Sequence, residues 1–91
     1  MKFALEIGET EKNLVEFAFN QLLGNTVIKV NRRVVKNERR LISEPVRESH
    51  RIQVGINEKW EVRIEKKRQQ LVGGRFSVFV NDRLINVFQG M

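Results

Sequence analysis

Val78-Phe79-Val80-Asn81-Asp82-Arg83-Leu84-Ile85 is an apolar run that breaks at an Asn and two polar residues and closes on an apolar pair. The same grammar occurs fifty residues earlier, in Ile28-Lys29-Val30-Asn31-Arg32-Arg33-Val34-Val35. Asn tolerates the left-handed backbone that a two-residue primed turn requires, so each stretch predicts a tight β-hairpin. Two such hairpins in 91 residues predict an all-β chain.

The residues outside the hairpins obey the same period of two. Phe3, Leu5 and Ile7 alternate with Ala4 and Glu6; Ile52, Val54 and Ile56 with Gln53 and Gly55; Trp60, Val62 and Ile64 with Glu61, Arg63 and Glu65. Each is the pattern of a strand with one wet face. Residues 10–23 suit two periods: Leu14, Val15, Ala18, Leu22 and Leu23 fit a short helix, and Val15-Phe17-Phe19 fit a strand. Asn13, Asn20 and Gly24 favour the strand. Pro45 should interrupt pairing between a strand near residues 38–43 and one beginning near Ser49. Lys66-Lys67-Arg68-Gln69-Gln70 reads as a polar connection. Seven or eight short antiparallel strands cannot remain one flat layer, so a two-sheet sandwich or a closed barrel follows, and the expectation taken forward is a single antiparallel β-sandwich domain over residues 1–91. Its inward set should include Phe3, Leu5, Val15, Phe17, Ile28, Val30, Ile52, Val54, Trp60, Val62, Ile64, Val78 and Val80.

Regular pairing across Asn81-Asp82 places Val80 opposite Arg83, Val78 opposite Ile85 and Phe76 opposite Val87 on one face. Phe79, Leu84 and Phe88 then share the other face, and both faces are apolar. A domain this small can bury one of them, which marks Phe79, Leu84 and Phe88 as candidate protein-contact residues; the open face is then covered by a loop, such as residues 66–74, or by a second copy in a self-complementary homodimer.

Composition excludes most chemistry. Without Cys there is neither a disulfide framework nor a thiolate site, and with one His (His50) and one Asp (Asp82) there is no metal-ligand cluster or nucleophilic triad. His50 lies in phase with Ile52 and Val54, as a boundary residue hydrogen-bonded to backbone would. Gly73-Gly74 opens no helix, so it makes no phosphate loop. The reading is a chain that is not an enzyme and needs no cofactor. The N-terminus has no apolar run of leader length and no stretch suits a membrane span, which predicts a cytoplasmic protein.

Charge is unevenly placed. The net charge is +6, and residues 29–75 hold fourteen Lys/Arg against six Glu. Arg39-Arg40 and Lys66-Lys67-Arg68 are the candidate polyanion contacts in this stretch. Nucleic-acid binding along single strands also uses exposed aromatics, and Trp60 is in phase with core positions. Protein contact is therefore the leading expectation, with nucleic acid or another polyanion as the alternative.

From Val15 to Phe88 the chain resembles the β-sandwich module of the Fas apoptosis inhibitory molecule family. The matching elements are Val15-Glu16-Phe17, the hairpin Val27-Ile28-Lys29-Val30-Asn31-Arg32-Arg33, Ile52-Gln53-Val54-Gly55, Trp60-Glu61-Val62-Arg63-Ile64 and the hairpin Phe76 to Arg83. The family's turn glycine is replaced here by Arg32 and Asp82, and this chain has room for one of the family's two modules. The resemblance implies a non-catalytic antiparallel sandwich that works through protein contacts, in a family linked to restraining cell-death signalling and protecting against aggregation.

Overall fold

A computed structural model describes residues 1–20, 24–39, 47–68 and 74–90. They form eight strands: β1 (Lys2–Ile7), β2 (Asn13–Asn20), β3 (Asn25–Val30), β4 (Arg33–Arg39), β5 (Arg47–Val54), β6 (Trp60–Arg68), β7 (Gly74–Val80) and β8 (Arg83–Gly90). There is no helix among the described residues, so the stretch 13–20 is a strand, as the Val15-Phe17-Phe19 alternation predicts. The polar run at Lys66 is not a connection. It continues β6 as far as Arg68. Pro45, and the part of the expected strand beyond Arg39, lie outside the described residues.

The strands make two four-stranded antiparallel sheets in the orders β1-β2-β3-β4 and β5-β6-β7-β8, so each half of the chain is a simple meander. The sheets pack face to face through Ile7, Val15, Phe17, Phe19 and Ile28 from the first and Val54, Val62, Ile64, Phe76 and Val78 from the second. All thirteen residues expected inside are either in this core or packed against it. Aromatic contacts show which strands face each other. Phe3 of β1 stacks on Phe88 of β8 with centroids 4.1 Å apart, and Phe17 of β2 meets Phe76 of β7 at 5.3 Å. At the opposite edge, Glu38 of β4 lies beside Glu48 and His50 of β5.

Both hairpins turn as their Asn residues predict. Asn31-Arg32 (φ 50° and 69°) and Asn81-Asp82 (φ 49° and 65°) have both central residues left-handed, the signature of a type I′ turn built here without glycine. Each Asn is also pinned sideways. Asn31 Oδ1 accepts from the Leu14 N–H at 2.9 Å and Asn81 Oδ1 from the Glu61 N–H at 2.9 Å, so each turn is tied to the next strand inward. The pairing beyond each turn shifts at a bulge, between Ile28 and Lys29 in one hairpin and Val78 and Phe79 in the other.

That shift corrects the second hairpin. Val78 pairs with Asn86 rather than Ile85, and Phe76 with Phe88 rather than Val87. One extra residue in β8 reverses the facing of everything after it. Phe88 therefore turns inward and stacks on Phe3 instead of sharing an outer face with Phe79 and Leu84.

Candidate functional site

The two halves meet at a reciprocal exchange of carboxylates. Ile7-Gly8-Glu9-Thr10-Glu11-Lys12 links β1 to β2, and Val54-Gly55-Ile56-Asn57-Glu58-Lys59 links β5 to β6, so Gly-x-x-Glu-Lys occurs in both loops. Gly8 (φ 124°) and Gly55 (φ 98°) hold a backbone that L-residues avoid, and an added Cβ would sit 1.9 Å and 1.7 Å from a backbone oxygen of the same loop. The bend turns successive N–H groups into one concavity suited to an anion. Glu58 fills the first, accepting from the Glu9 N–H at 2.9 Å, the Thr10 N–H at 3.1 Å and the Thr10 hydroxyl at 2.6 Å. Glu11 fills the second, accepting from the N–H groups of Ile56, Asn57 and Glu58 at 2.7, 3.2 and 3.2 Å. The Thr10 hydroxyl first, then the Glu9 and Thr10 N–H groups, hold the Glu58 carboxyl well below the usual carboxylate range, at about 2. These anion seats are occupied by the protein itself, so their role is to clasp the sheets. The Gly-x-x-Glu-Lys repeat was readable in the sequence as two copies 47 residues apart, a signal that hairpin reading passes over.

A second polar group is sealed between the edges of the sheets. His50 and Lys66 are buried, and the Glu48 carboxylate lies 3.2 Å from the Lys66 ammonium and 3.5 Å from His50 Nε2. The Lys66 ammonium also sits 3.8 Å over the Phe19 ring. Lys66 is thus a buried ion-pair and cation–π partner, which removes it from the exposed polyanion contacts expected of it. Burial lowers the His50 pKa, with the Lys36 ammonium acting in the same direction and Glu48 opposing. One donor atom each of Glu38, Glu48 and His50 lie within 4.8 Å of one another, a convergence the strand spacing alone did not suggest. Lys36 lies 3.5 Å from Glu38 and Lys66 3.2 Å from Glu48, so each carboxylate already has a cation beside it, Glu48 inside the protein and Glu38 at the exposed edge.

Two surfaces remain. The bulged edge strands carry adjacent exposed apolar pairs at equivalent positions: Val34 and Val35 on β4, 55% and 51% exposed, and Leu84 and Ile85 on β8, 56% and 47% exposed. Of the expected contact residues, Leu84 is open, Phe79 is half-buried with the Arg63 guanidinium 4.3 Å over its ring, and Phe88 is inside. Ile85 joins the surface because the bulge turns it outward; sequence alternation placed it inside. The other surface is the outer face of β5-β6-β7, where Lys67 is exposed near Arg47 and Arg75. Arg39 and Arg68 are exposed at strand ends, and Arg40 lies outside the described residues. No family model, curated protein or solved structure matches this chain. Among the described residues no helix is long and apolar enough to cross a membrane.

Proposed function

We propose that this protein is a non-catalytic binding module of the cytoplasm that acts through protein–protein contacts. The observation that carries the reading is the pair of apolar dipeptides, Val34-Val35 and Leu84-Ile85, held outward on the two bulged edge strands. Large apolar side chains placed side by side in water cost solvation free energy, at about 25 cal/mol per Å² of apolar surface, which a partner would recover. Strand addition is an unfavourable mode here, because bulges and the flanking Arg33, Lys36, Arg39 and Arg83 interrupt both edges. Side-chain docking onto the dipeptides remains. This agrees with the non-catalytic, contact-based role that the resemblance to the Fas apoptosis inhibitory molecule module implies.

The test is retention of partners from cell extract by wild type, Leu84→Asp/Ile85→Asp and Val34→Asp/Val35→Asp, at low and high salt. A partner kept by wild type at high salt and lost by one double variant is the expected result. Equal retention by all three proteins overturns the reading, since no bound protein would then depend on the apolar pairs.

A further inference from the structure

The register of the second sheet builds a line of like charge. Arg47 of β5 pairs directly with Lys67 of β6, and Lys67 pairs directly with Arg75 of β7. All three are exposed on the outer face. Like charges directly opposite on neighbouring strands destabilise a sheet. Folds usually offset such a contact with a carboxylate, and among the described residues no carboxylate pairs with these three. The two nearest carboxylates are committed elsewhere: Glu65 to the Arg63 Nε at 3.0 Å, and Glu48 inward to the Lys66 ammonium at 3.2 Å. Ser49 and Ser77 stand in the next cross-strand row, either side of Glu65. The three cations line a shallow depression of about 380 Å³ with Ser49, Ser77 and Lys66, and Glu48 and Glu65 line it as well.

We infer that the row Arg47, Lys67 and Arg75 forms a binding site for a compact polyphosphate. Three cations present the hydrogen-bonding that phosphate oxygens accept, with forked guanidinium groups at both ends of the row. Charge selects the size. A single phosphate ester carries at most about two negative charges, so two or three linked phosphates balance three cations where one does not. Neighbouring strands are about 4.8 Å apart, so the row spans roughly 10 Å, short for an extended nucleic-acid chain. Glu65, in the middle of the following row, repels any chain that continues down the sheet. The ligand class is the polyphosphate end of a small molecule, either free inorganic polyphosphate or the tail of a nucleotide. This site is separate from the apolar pairs on the edge strands, so it stands or falls independently of the protein-contact reading.

Isothermal titration of the whole chain with inorganic tripolyphosphate at low salt tests it, using wild type, Lys67→Gln, Arg75→Gln and, as control, the exposed turn residue Arg83→Gln. Loss of one charge-assisted contact should weaken binding about tenfold in each site variant and leave the control within twofold. Lys67→Gln should also melt at or above the wild-type temperature without ligand, because the row loses its repulsion. Thermal stabilisation by tripolyphosphate should largely vanish in that variant. Adenosine triphosphate binding as tightly as tripolyphosphate assigns the nucleotide source, and weaker binding assigns the free polyphosphate. Equal affinity across the four proteins overturns the site. A phosphoserine peptide or single-stranded oligonucleotide that binds more tightly than tripolyphosphate overturns the compact ligand.

Discussion

Arg32 and Asp82 hold left-handed backbone that their own Cβ atoms resist, and the two sites are not equivalent. Arg32 makes no ion pair among the described residues, whereas the Asp82 carboxylate lies 2.6 Å from Arg63 Nη1. A left-handed L-residue costs about 1–2 kcal/mol, and glycine's greater loss of chain entropy takes back part of the gain. Arg32→Gly should therefore raise unfolding free energy by about 0.5–1 kcal/mol in denaturant titration, and Asp82→Gly by less. Gly55→Ala should act in the opposite sense. Its Cβ would meet the Glu58 backbone oxygen, so the loop must open and Glu11 lose its three N–H donors, a destabilisation of at least about 2 kcal/mol. The same midpoint for Gly55→Ala and wild type would refute the clasp. The turns were legible because Asn announces a left-handed bend locally. The clasp was not: the two Gly-x-x-Glu-Lys copies are visible in the sequence, but its partners lie 45 to 49 residues apart and the motif says nothing about what its carboxylate reaches.

At the scale of elements, period two gave the strands and their inward phase, and the bulges defeated it. A bulge leaves no clear mark in composition: Leu84-Ile85-Asn86 reads equally well as continuous pairing, yet one inserted residue sends Phe88 inward and Ile85 outward. Lys66 departs from its local pattern for a different reason. Adjacent charges look like a loop, and its burial depends on Glu48 and Phe19, which no local pattern supplies. Two pH windows follow from these groups. The His50 pKa is lowered from 6.5 in the folded state, so the unfolded chain takes up the proton first. Its contribution is present above pH 6.5 and is lost as pH falls through the lowered folded value. The Glu58 pKa falls from 4.5 to about 2, so the clasp's contribution is complete above pH 4.5 and disappears as pH approaches 2. Denaturant midpoints measured from pH 7 to pH 2 should fall in both windows. Glu58→Gln should flatten the lower one and His50→Gln the upper one; an unchanged profile in Glu58→Gln would remove that carboxylate from the clasp.

The whole molecule is two similar meanders that complete each other. Each contributes one apolar sheet face, a Gly-x-x-Glu-Lys loop, an Asn-turn hairpin tied to its second strand and a bulged edge strand with an exposed apolar pair. Neither sheet can bury its inner face alone, because Phe17 of one half packs on Phe76 of the other and Ile28 and Ile64 belong to the one core the halves share. The carboxylate exchange has the reciprocity of a two-fold interface: Glu11 of the first half serves the second loop, and Glu58 of the second half serves the first. Chains near 40 residues seldom hold a core unaided. Residues 1–43 and 44–91, expressed separately, should therefore each lack cooperative unfolding, and on mixing should assemble one-to-one and regain the circular dichroism and melting of the intact chain. Glu58→Ala in the second fragment should weaken that assembly without affecting the spectrum of the fragment alone. The extra stability of the intact chain over the mixed halves would come from the tether, which spares them the loss of independent translation that association imposes. A first fragment that melts cooperatively as a monomer would show that one sheet suffices, and the interdependence inferred from the shared core and the exchanged glutamates would be wrong.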